Sequence, residues 1–310
     1  MVEVPAGLKG RHFTRVADWS AAELGVALDL ADALKSAQKR REEHRILPGR
    51  TLGLLFEKPS TRTRVSFGVG IYQLGGTALY LSSSELQLGR GETIRDTATV
   101  LSRYLDGIMI RTFAQSDVEQ LAEHGSIPVI NGLTDTAHPC QALADVMTIR
   151  ERLGRLDGVR VAYLGDGNNV CASLMVASAS FGASFVAATP AGYEPPRRAV
   201  EAARARGGAV ELTSDPRAAV RGADVLYTDV WTSIGQDDER EQRRRDLAGF
   251  GIDDELLRLA GEHAIVLHCL PAHYGEEITE EILYGPQSAV WDQAENRLHA
   301  QKALMALVIR

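Results

Sequence analysis

Phe56-Glu57-Lys58-Pro59-Ser60-Thr61-Arg62-Thr63-Arg64-Val65-Ser66-Phe67 is the stretch whose reading decides the fold. The apolar run before it, Leu52 to Phe56, reads as a buried strand. The apolar-periodic run after it, through Val65, Phe67, Val69, Ile71 and Leu74, reads as a helix. Pro59 suits a helix entry, and Ser60 or Thr61 is a natural N-cap. The first turn of a helix leaves backbone N–H groups free and carries partial positive charge. Hydroxyls and arginines added to that end suit a small, multiply charged anion such as phosphate. The competing reading is a capped helix whose arginines are merely solvated.

Working outward, residues 11–48 read as an amphipathic helix behind a short lead, ending in a charged run from Lys39 to Arg45. An alternation then begins. Strand-like runs at Leu52–Phe56, Thr77–Leu81, Gly107–Ile110 and Ile127–Ile130 are separated by helical runs near Thr61–Leu74, Glu92–Leu105 and Ser116–His124. After a longer helical run from His138 to about Leu153 the alternation restarts. Strands read at Arg160–Leu164, Ser184–Ala188, Val210–Thr213, Asp224–Tyr227 and Ala264–Leu267. The strands are short and apolar without clean alternation, as expected when helices cover both sheet faces. The pattern predicts an α/β chain of two doubly wound parallel-sheet domains, divided near residues 140–155, with an interdomain active-site cleft.

Composition narrows the function. The chain has 310 residues and a net charge of -7, which disfavours a nucleic-acid partner. Cys140, Cys171 and Cys269 lie far apart and form no C-x-x-C pair, which favours a reducing compartment over disulfides or structural zinc. No apolar run approaches the ~18 residues of a membrane span, and Met1 to Gly10 lacks an apolar signal core. The expectation is a cytoplasmic protein with no membrane partner.

Ligands of open parallel sheets bind beyond the carboxyl ends of the strands. In the first half those ends carry Lys58 to Arg64, then Ser82-Ser83-Ser84 and Gln87, then Arg111, then Asn131 and His138-Pro139-Cys140-Gln141. In the second half they carry Gly165-Asp166-Gly167-Asn168-Asn169, Asp229 to Gly235, and His268-Cys269-Leu270-Pro271. Cations and neutral donors thus face an anion in one half; a carboxylate, amides and a thiol suit an amine-bearing substrate in the other. Each piece has a plainer reading: a solvated Arg111, a satisfied buried His138, a turn-capping Asp229, a Cys269 that is only a small hydrophobe. The 165–170 loop half-resembles a dinucleotide fingerprint, but the third glycine and the following acidic residue are missing. Arg240, Arg243, Arg244 and Arg245 read as a solvated helix face.

Ser60-Thr61-Arg62-Thr63-Arg64, His138-Pro139-Cys140-Gln141 and His268-Cys269-Leu270-Pro271 resemble the signature segments of aspartate and ornithine carbamoyltransferases. Asp229-x-x-x-Ser233-Ile234-Gly235 and Glu295-Asn296-Arg297 resemble the ornithine branch. The resemblance implies a carbamoyl-phosphate domain over 1–150, an ornithine domain over 151–292, and a C-terminal helix, about 293–310, packing back on the first. It implies transfer of the carbamoyl group of carbamoyl phosphate to the δ-amine of L-ornithine, giving L-citrulline and phosphate in arginine biosynthesis. It also implies no cofactor or metal, and a homotrimer or a multiple of it. Carried over by position, Ser60, Thr61, Arg62, Thr63, Arg111 and Gln87 (from a neighbouring subunit) would hold the phosphate. His138, Gln141, Cys269, Leu270 and Arg297 would hold the carbamoyl group, and Asn169, Asp229, Ser233 and Ile234 the ornithine. Arg62, His138 and Cys269 would be catalytic. Three positions depart from the family pattern: Gly68 for an acidic residue, Ile234 for methionine and Tyr274 for arginine.

The rivals are a related transferase acting on putrescine, acylated ornithine or aspartate, a trimeric binding protein without catalysis, and a nicotinamide-dependent dehydrogenase.

Overall fold

Ser20 opens the first helix of the computed structural model, which describes residues 3–82 and 91–309. The Ser20 hydroxyl accepts from Glu23 N at 3.2 Å, and Glu23 Oε2 accepts from Ser20 N at 2.7 Å. This reciprocal cap fixes the start of α1 (Ala21–Lys39). The helix stops at Lys39, short of the expected residue 48. The charged run beyond it has no apolar spacing with which to stay helical against a core.

The chain separates into two units, Met1–Leu143 with Arg297–Arg310, and Ala144–Asn296. The first holds parallel strands β1 (Thr51–Phe56), β2 (Thr77–Ser82), β3 (Gly107–Arg111) and β4 (Val129–Leu133), ordered β2-β1-β3-β4. Helices α2 (Thr61–Gln73), α3 (Ile94–Leu101) and α4 (Gln115–His124) connect them. Leu55, Ala98, Ile108, Ile110, Val118, Leu121 and Val129 form a buried core of this unit. From β1 the chain goes to one side for β2, then crosses to the other for β3. Phe56 therefore stands opposite Ser82 on one flank and Arg111 on the other. Such a reversal opens a crevice at the carboxyl ends of the strands.

The second unit repeats the device. Strands β5 (Arg160–Leu164), β6 (Ser184–Ala188), β7 (Val210–Thr213), β8 (Val225–Thr228) and β9 (Ile265–His268) order as β7-β6-β5-β8-β9, all parallel. The order reverses beside β5, where Leu164 pairs with Thr228. The connecting helices are α6 (Asn169–Ser180), α7 (Arg197–Ala205), α8 (Pro216–Val220), α9 (Arg240–Asp246), α10 (Asp254–Leu259) and α11 (Glu280–Leu283), the last not anticipated from sequence. The division between units falls inside α5 (Pro139–Leu153) and α12 (Val290–Ile309). α12 begins at Val290, slightly ahead of the expected start near 293.

Lys302 and His299, on α12, are buried within the first unit. Lys302 Nζ donates to Gln38 Oε1 at 2.7 Å and Gln73 Oε1 at 3.0 Å, and lies 3.2 Å from His44 Nε2. It ties α12 to the ends of α1 and α2. Burial brings the Lys302 ammonium down to about 8, so it stays charged at pH 7. His299 is 1% exposed, and burial among lysines pushes it down from 6.5 to about 3.

Because its folded value is depressed, His299 contributes stability that is whole above about 6.5 and is lost as pH falls toward about 3. By pH 5 the loss is about 2 kcal/mol, at 1.36 kcal/mol per pH unit. Melting should therefore come earlier at pH 5 than at pH 8. His299→Gln should narrow that gap; an unchanged gap would contradict the assignment.

Candidate active site

At the first switch point Ser60 adopts an extended backbone and caps α2, accepting from Thr63 N at 3.2 Å. Its hydroxyl also donates to Thr63 Oγ1 at 3.2 Å. Glu57 N reaches across to the carbonyl of Arg111 at 2.9 Å, which sets the loop against the end of β3. Thr61 and Arg62 are exposed, whereas Thr63, Arg111, His138, Gln141 and Arg297 are buried. The result is an open helix N-terminus over a buried polar floor. Arg297, on α12, donates to Gln141 Oε1 at 2.6 Å and to Thr63 Oγ1 at 3.2 Å. Burial, and then the positive charges of Arg297, Arg111 and Arg62, holds His138 well below its ordinary value. It is therefore a neutral imidazole at pH 7, able to donate one hydrogen bond without carrying charge.

Beside this floor Lys58 is buried, paired with Asp135, and lies 4.2 Å above the centre of the Phe113 ring. Arg64 stacks on Tyr80 at 3.9 Å. A Cβ at Gly68 would meet nothing within 4 Å, so packing does not demand glycine there. Gln87, with Ser83 and Ser84, lies outside the described residues.

At the second switch point Asn168 is the organising amide. Its Oδ1 caps α6 by accepting from Val170 N at 2.9 Å and Cys171 N at 3.1 Å. Its Nδ2 donates to Asp229 Oδ2 at 2.7 Å. Asn169 stands next in line, half-buried. Asp229 is 6% exposed, and its Oδ1 accepts from Val230 N and from Cys269 Sγ, both at 2.8 Å. These partners are neutral donors, which leave the carboxylate its full charge for an incoming ammonium. Cys269 acts here as a thiol donor. Gly167 serves packing: a Cβ there would meet Pro195 N at 2.3 Å, so only glycine allows the loop to approach. That accounts for the glycine without a nucleotide.

Arg243 is a correction. Read in sequence as part of a solvated face, it is 7% exposed. Its Nε donates to the Trp231 carbonyl at 2.6 Å, its guanidinium pairs with Asp166 and with Glu239 (3.3 Å), and it lies 5.0 Å from the Tyr193 ring centre. It thereby pins the 229–235 loop to the 165–168 loop. Ser233 N donates to Gln236 Oε1 at 3.0 Å, and the Ile234 side chain is exposed. Arg240, Arg244 and Arg245 are exposed as expected. Burial pushes Asp166 up to about 6 against the pull of Arg243, so the pair is ionised at pH 7.

After β9, Leu270 takes a left-handed backbone with φ 61, a region that costs non-glycine residues about 1–3 kcal/mol. A hydrogen-bond chain holds it there. Leu270 N donates to His268 Nδ1 at 2.8 Å, and His268 Nε2 donates to Glu277 Oε1 at 3.1 Å. The first bond makes Nδ1 an acceptor and so fixes the tautomer. Glu277, fully buried, was not singled out from sequence; the signal was that a buried histidine needs an acceptor nearby. Asp229, His268 and Cys269 offer ligand atoms within 4.8 Å of one another. Both His268 nitrogens are already engaged, which leaves two ligands and a poor metal centre.

With this geometry in view, the relationships of the chain are clear. Residues 11–151 match the carbamoyl-phosphate-binding domain, and residues 157–308 the Asp/Orn-binding domain, of aspartate/ornithine carbamoyltransferases. The chain belongs to the aspartate/ornithine carbamoyltransferase family. Within it, the chain is 56% identical over 307 residues to the ornithine carbamoyltransferase of Symbiobacterium thermophilum, covering 97% of this chain and 99% of that one. It is 53% identical to the anabolic ornithine carbamoyltransferase of Pyrococcus furiosus, covering 97% of each chain. The solved ornithine carbamoyltransferase from Pyrococcus furiosus superposes with a TM-score of 0.95 at 52% identity, covering 98% and 99%.

Arg243→Ala should raise KM for ornithine by about tenfold or more, since breaking a buried pair leaves a charge uncompensated. KM for carbamoyl phosphate should hold. In the unaltered protein, KM for ornithine should climb as pH falls through about 6, when Asp166 takes up a proton. The Arg243→Ala protein should lack that step. Equal changes in both KM values would contradict this role.

Proposed function

We propose that the chain is an ornithine carbamoyltransferase working in the biosynthetic direction, toward L-citrulline. A charge pattern carries the reading. Three guanidiniums surround a neutral imidazole at one switch point, and a desolvated carboxylate held by neutral donors stands at the other. The first suits carbamoyl phosphate and the second the α-ammonium of ornithine. The relative named anabolic supports the direction.

Ser60, Thr61, Arg62, Thr63 and Arg111 hold the phosphate at the N-terminus of α2, with Gln87 added from a neighbouring subunit. His138, Gln141, Cys269, the carbonyl of Leu270 and Arg297 hold the carbamoyl group. Asn169, Asp229, Ser233 and the backbone at Ile234 hold ornithine. The neutral δ-amine attacks the carbamoyl carbon; the C–N bond forms as the C–O bond to phosphate breaks. Charge builds on the carbamoyl oxygen, where the neutral His138 N–H and Arg297 donate, and on the leaving phosphate, met by Arg62, Arg111 and the helix end. The amine must shed a proton as it attacks. The Cys269 thiol already carries its proton toward Asp229, so the departing phosphate is the better acceptor. The transfer is redox-neutral and calls for no electron carrier.

A homotrimer, or a multiple of it, fits an exposed apolar stripe on α2, where Val65, Val69 and Tyr72 fall on one helical face. Leu79 and Tyr80 on the edge strand β2 add to the exposed apolar surface of this unit. No helix among the described residues is long and apolar enough to cross a membrane, and the three cysteines are free, which supports the cytoplasm.

Phosphate release with carbamoyl phosphate should be rapid with ornithine and at background with putrescine, N-acetylornithine or aspartate. No release with ornithine would overturn the reading. Arg62→Ala should lower kcat/KM by at least about a hundredfold, on the scale of losing one preorganised donor. Tyr274→Ala, at an exposed position, should change it little. Val65→Asp with Val69→Asp should lower the mass seen by light scattering to that of one chain; an unchanged mass would remove this stripe from the interface.

A further inference from the structure

Beyond β9 the chain turns back through His273, Glu276 and Glu277. One ligand atom from each of the three lies within 4.8 Å of the other two. The arrangement has a second, independent feature. His273 Nδ1, Glu276 Oε2 and Glu277 Oε2 are each buried and have no hydrogen-bond partner among the described residues. Glu277 is fully buried, and its Oε2 faces His273 Nδ1 at 3.8 Å. Its other oxygen is already used, accepting from His268 Nε2 at 3.1 Å and His273 N at 2.6 Å. A buried polar atom left without a partner is destabilising. Each of the three clustered residues thus carries one such atom, an imidazole nitrogen or a carboxylate oxygen. The His273 side chain is 38% exposed, so the spot has a way in from solvent.

We propose that His273, Glu276 and Glu277 form a site for a divalent transition-metal ion of the zinc class. One imidazole and two carboxylates are ligands of that class, with an open position left for water. Carboxylate oxygens alone would suit calcium or magnesium, but those ions take six or more oxygens, and an imidazole is a poor ligand for them. The groups that would hold the ligands in place are present. Glu277 is braced by His268, and Glu276 Oε1 is held by Arg240 at 3.1 Å and Arg244 at 3.4 Å. Those two guanidiniums oppose an incoming cation, so the site binds with moderate affinity. An ion drawing on Glu277 Oε2 also loads the chain from Glu277 through His268 to Leu270. Occupancy is therefore felt at the strand end that the proposed reaction uses. The rival occupant is a proton, with a His273 imidazolium paired to Glu277.

The test uses Zn2+ and the full-length chain carrying Cys269→Ser, which removes the thiol of the separate Asp229–Cys269 cluster. Equilibrium dialysis near pH 7.5 should find one Zn2+ per chain. Adding His273→Ala, a partly exposed position that should fold normally, should weaken binding by at least about tenfold, the scale on which perturbing even a supporting residue acts. Co2+ in place of Zn2+ should give a d–d absorption spectrum without a thiolate charge-transfer band, and His273→Ala should abolish it. Zn2+ that fails to bind the Cys269→Ser chain, or binds the His273→Ala chain equally well, would overturn the proposal. These readouts need no substrate, so they stand apart from the assay for carbamoyl transfer.

Discussion

Both sheets depend on one constraint: a parallel strand that continues in a new direction must leave its carboxyl end uncovered. The chain meets this twice, beside β1 and beside β5. At each reversal two loops diverge, and the side chains they carry converge on a space that no crossover fills. Phe56 opposite Arg111, and Leu164 opposite Thr228, mark the two places. The chemistry-bearing residues of each unit gather there because the backbone has nowhere else to present them at close range. The apolar side chains beneath, such as Leu55 and Ile110 in one unit and Leu226 and Val266 in the other, make the platforms rigid.

The two places solve opposite electrostatic problems. Arg297 donates to Gln141 and Thr63, and burial, reinforced by the neighbouring guanidiniums, keeps His138 neutral. A buried carboxylate is costly unless hydrogen-bonded. Asp229 is kept by three neutral donors that do not cancel its charge. Each unit thus gathers charge of one sign at its strand ends, and partial burial makes that charge act more strongly than in water. The buried Arg243 completes the second unit by fixing the loop that follows Asp229.

The sequence made the strand ends legible because short apolar runs punctuated by glycine and polar residues have few other readings. Ser60 was legible as a cap from Pro59 and the hydroxyl run, and the structure gives that cap. What failed was anything set by distant packing. Arg243 lies in a seven-residue helix crowded with charge, and nothing local separates its buried face from the exposed faces of Arg240 and Arg244. Asn168 was not singled out, because only the direction of the helix start shows that its amide reaches Asp229. Glu277 was hidden because its partners, His268 and the His273 backbone, are brought to it by a turn rather than by a periodic element. The end of α1 at Lys39 was missed because charge runs do not announce where helicity stops.

The three thiols stand in unequal positions. Cys140 is sealed in the core, where burial pushes its thiol up to about 12, and Cys171 is sealed likewise. Cys269 alone is half-buried. A thiol-directed reagent in solution therefore meets a single partly open thiol, and that thiol sits against Asp229. Chemical ageing of this protein would register first at its candidate site and leave the rest of the fold untouched. The same asymmetry gives the molecule a built-in reporter, since any ligand resting on Asp229 shields the one thiol a reagent can find.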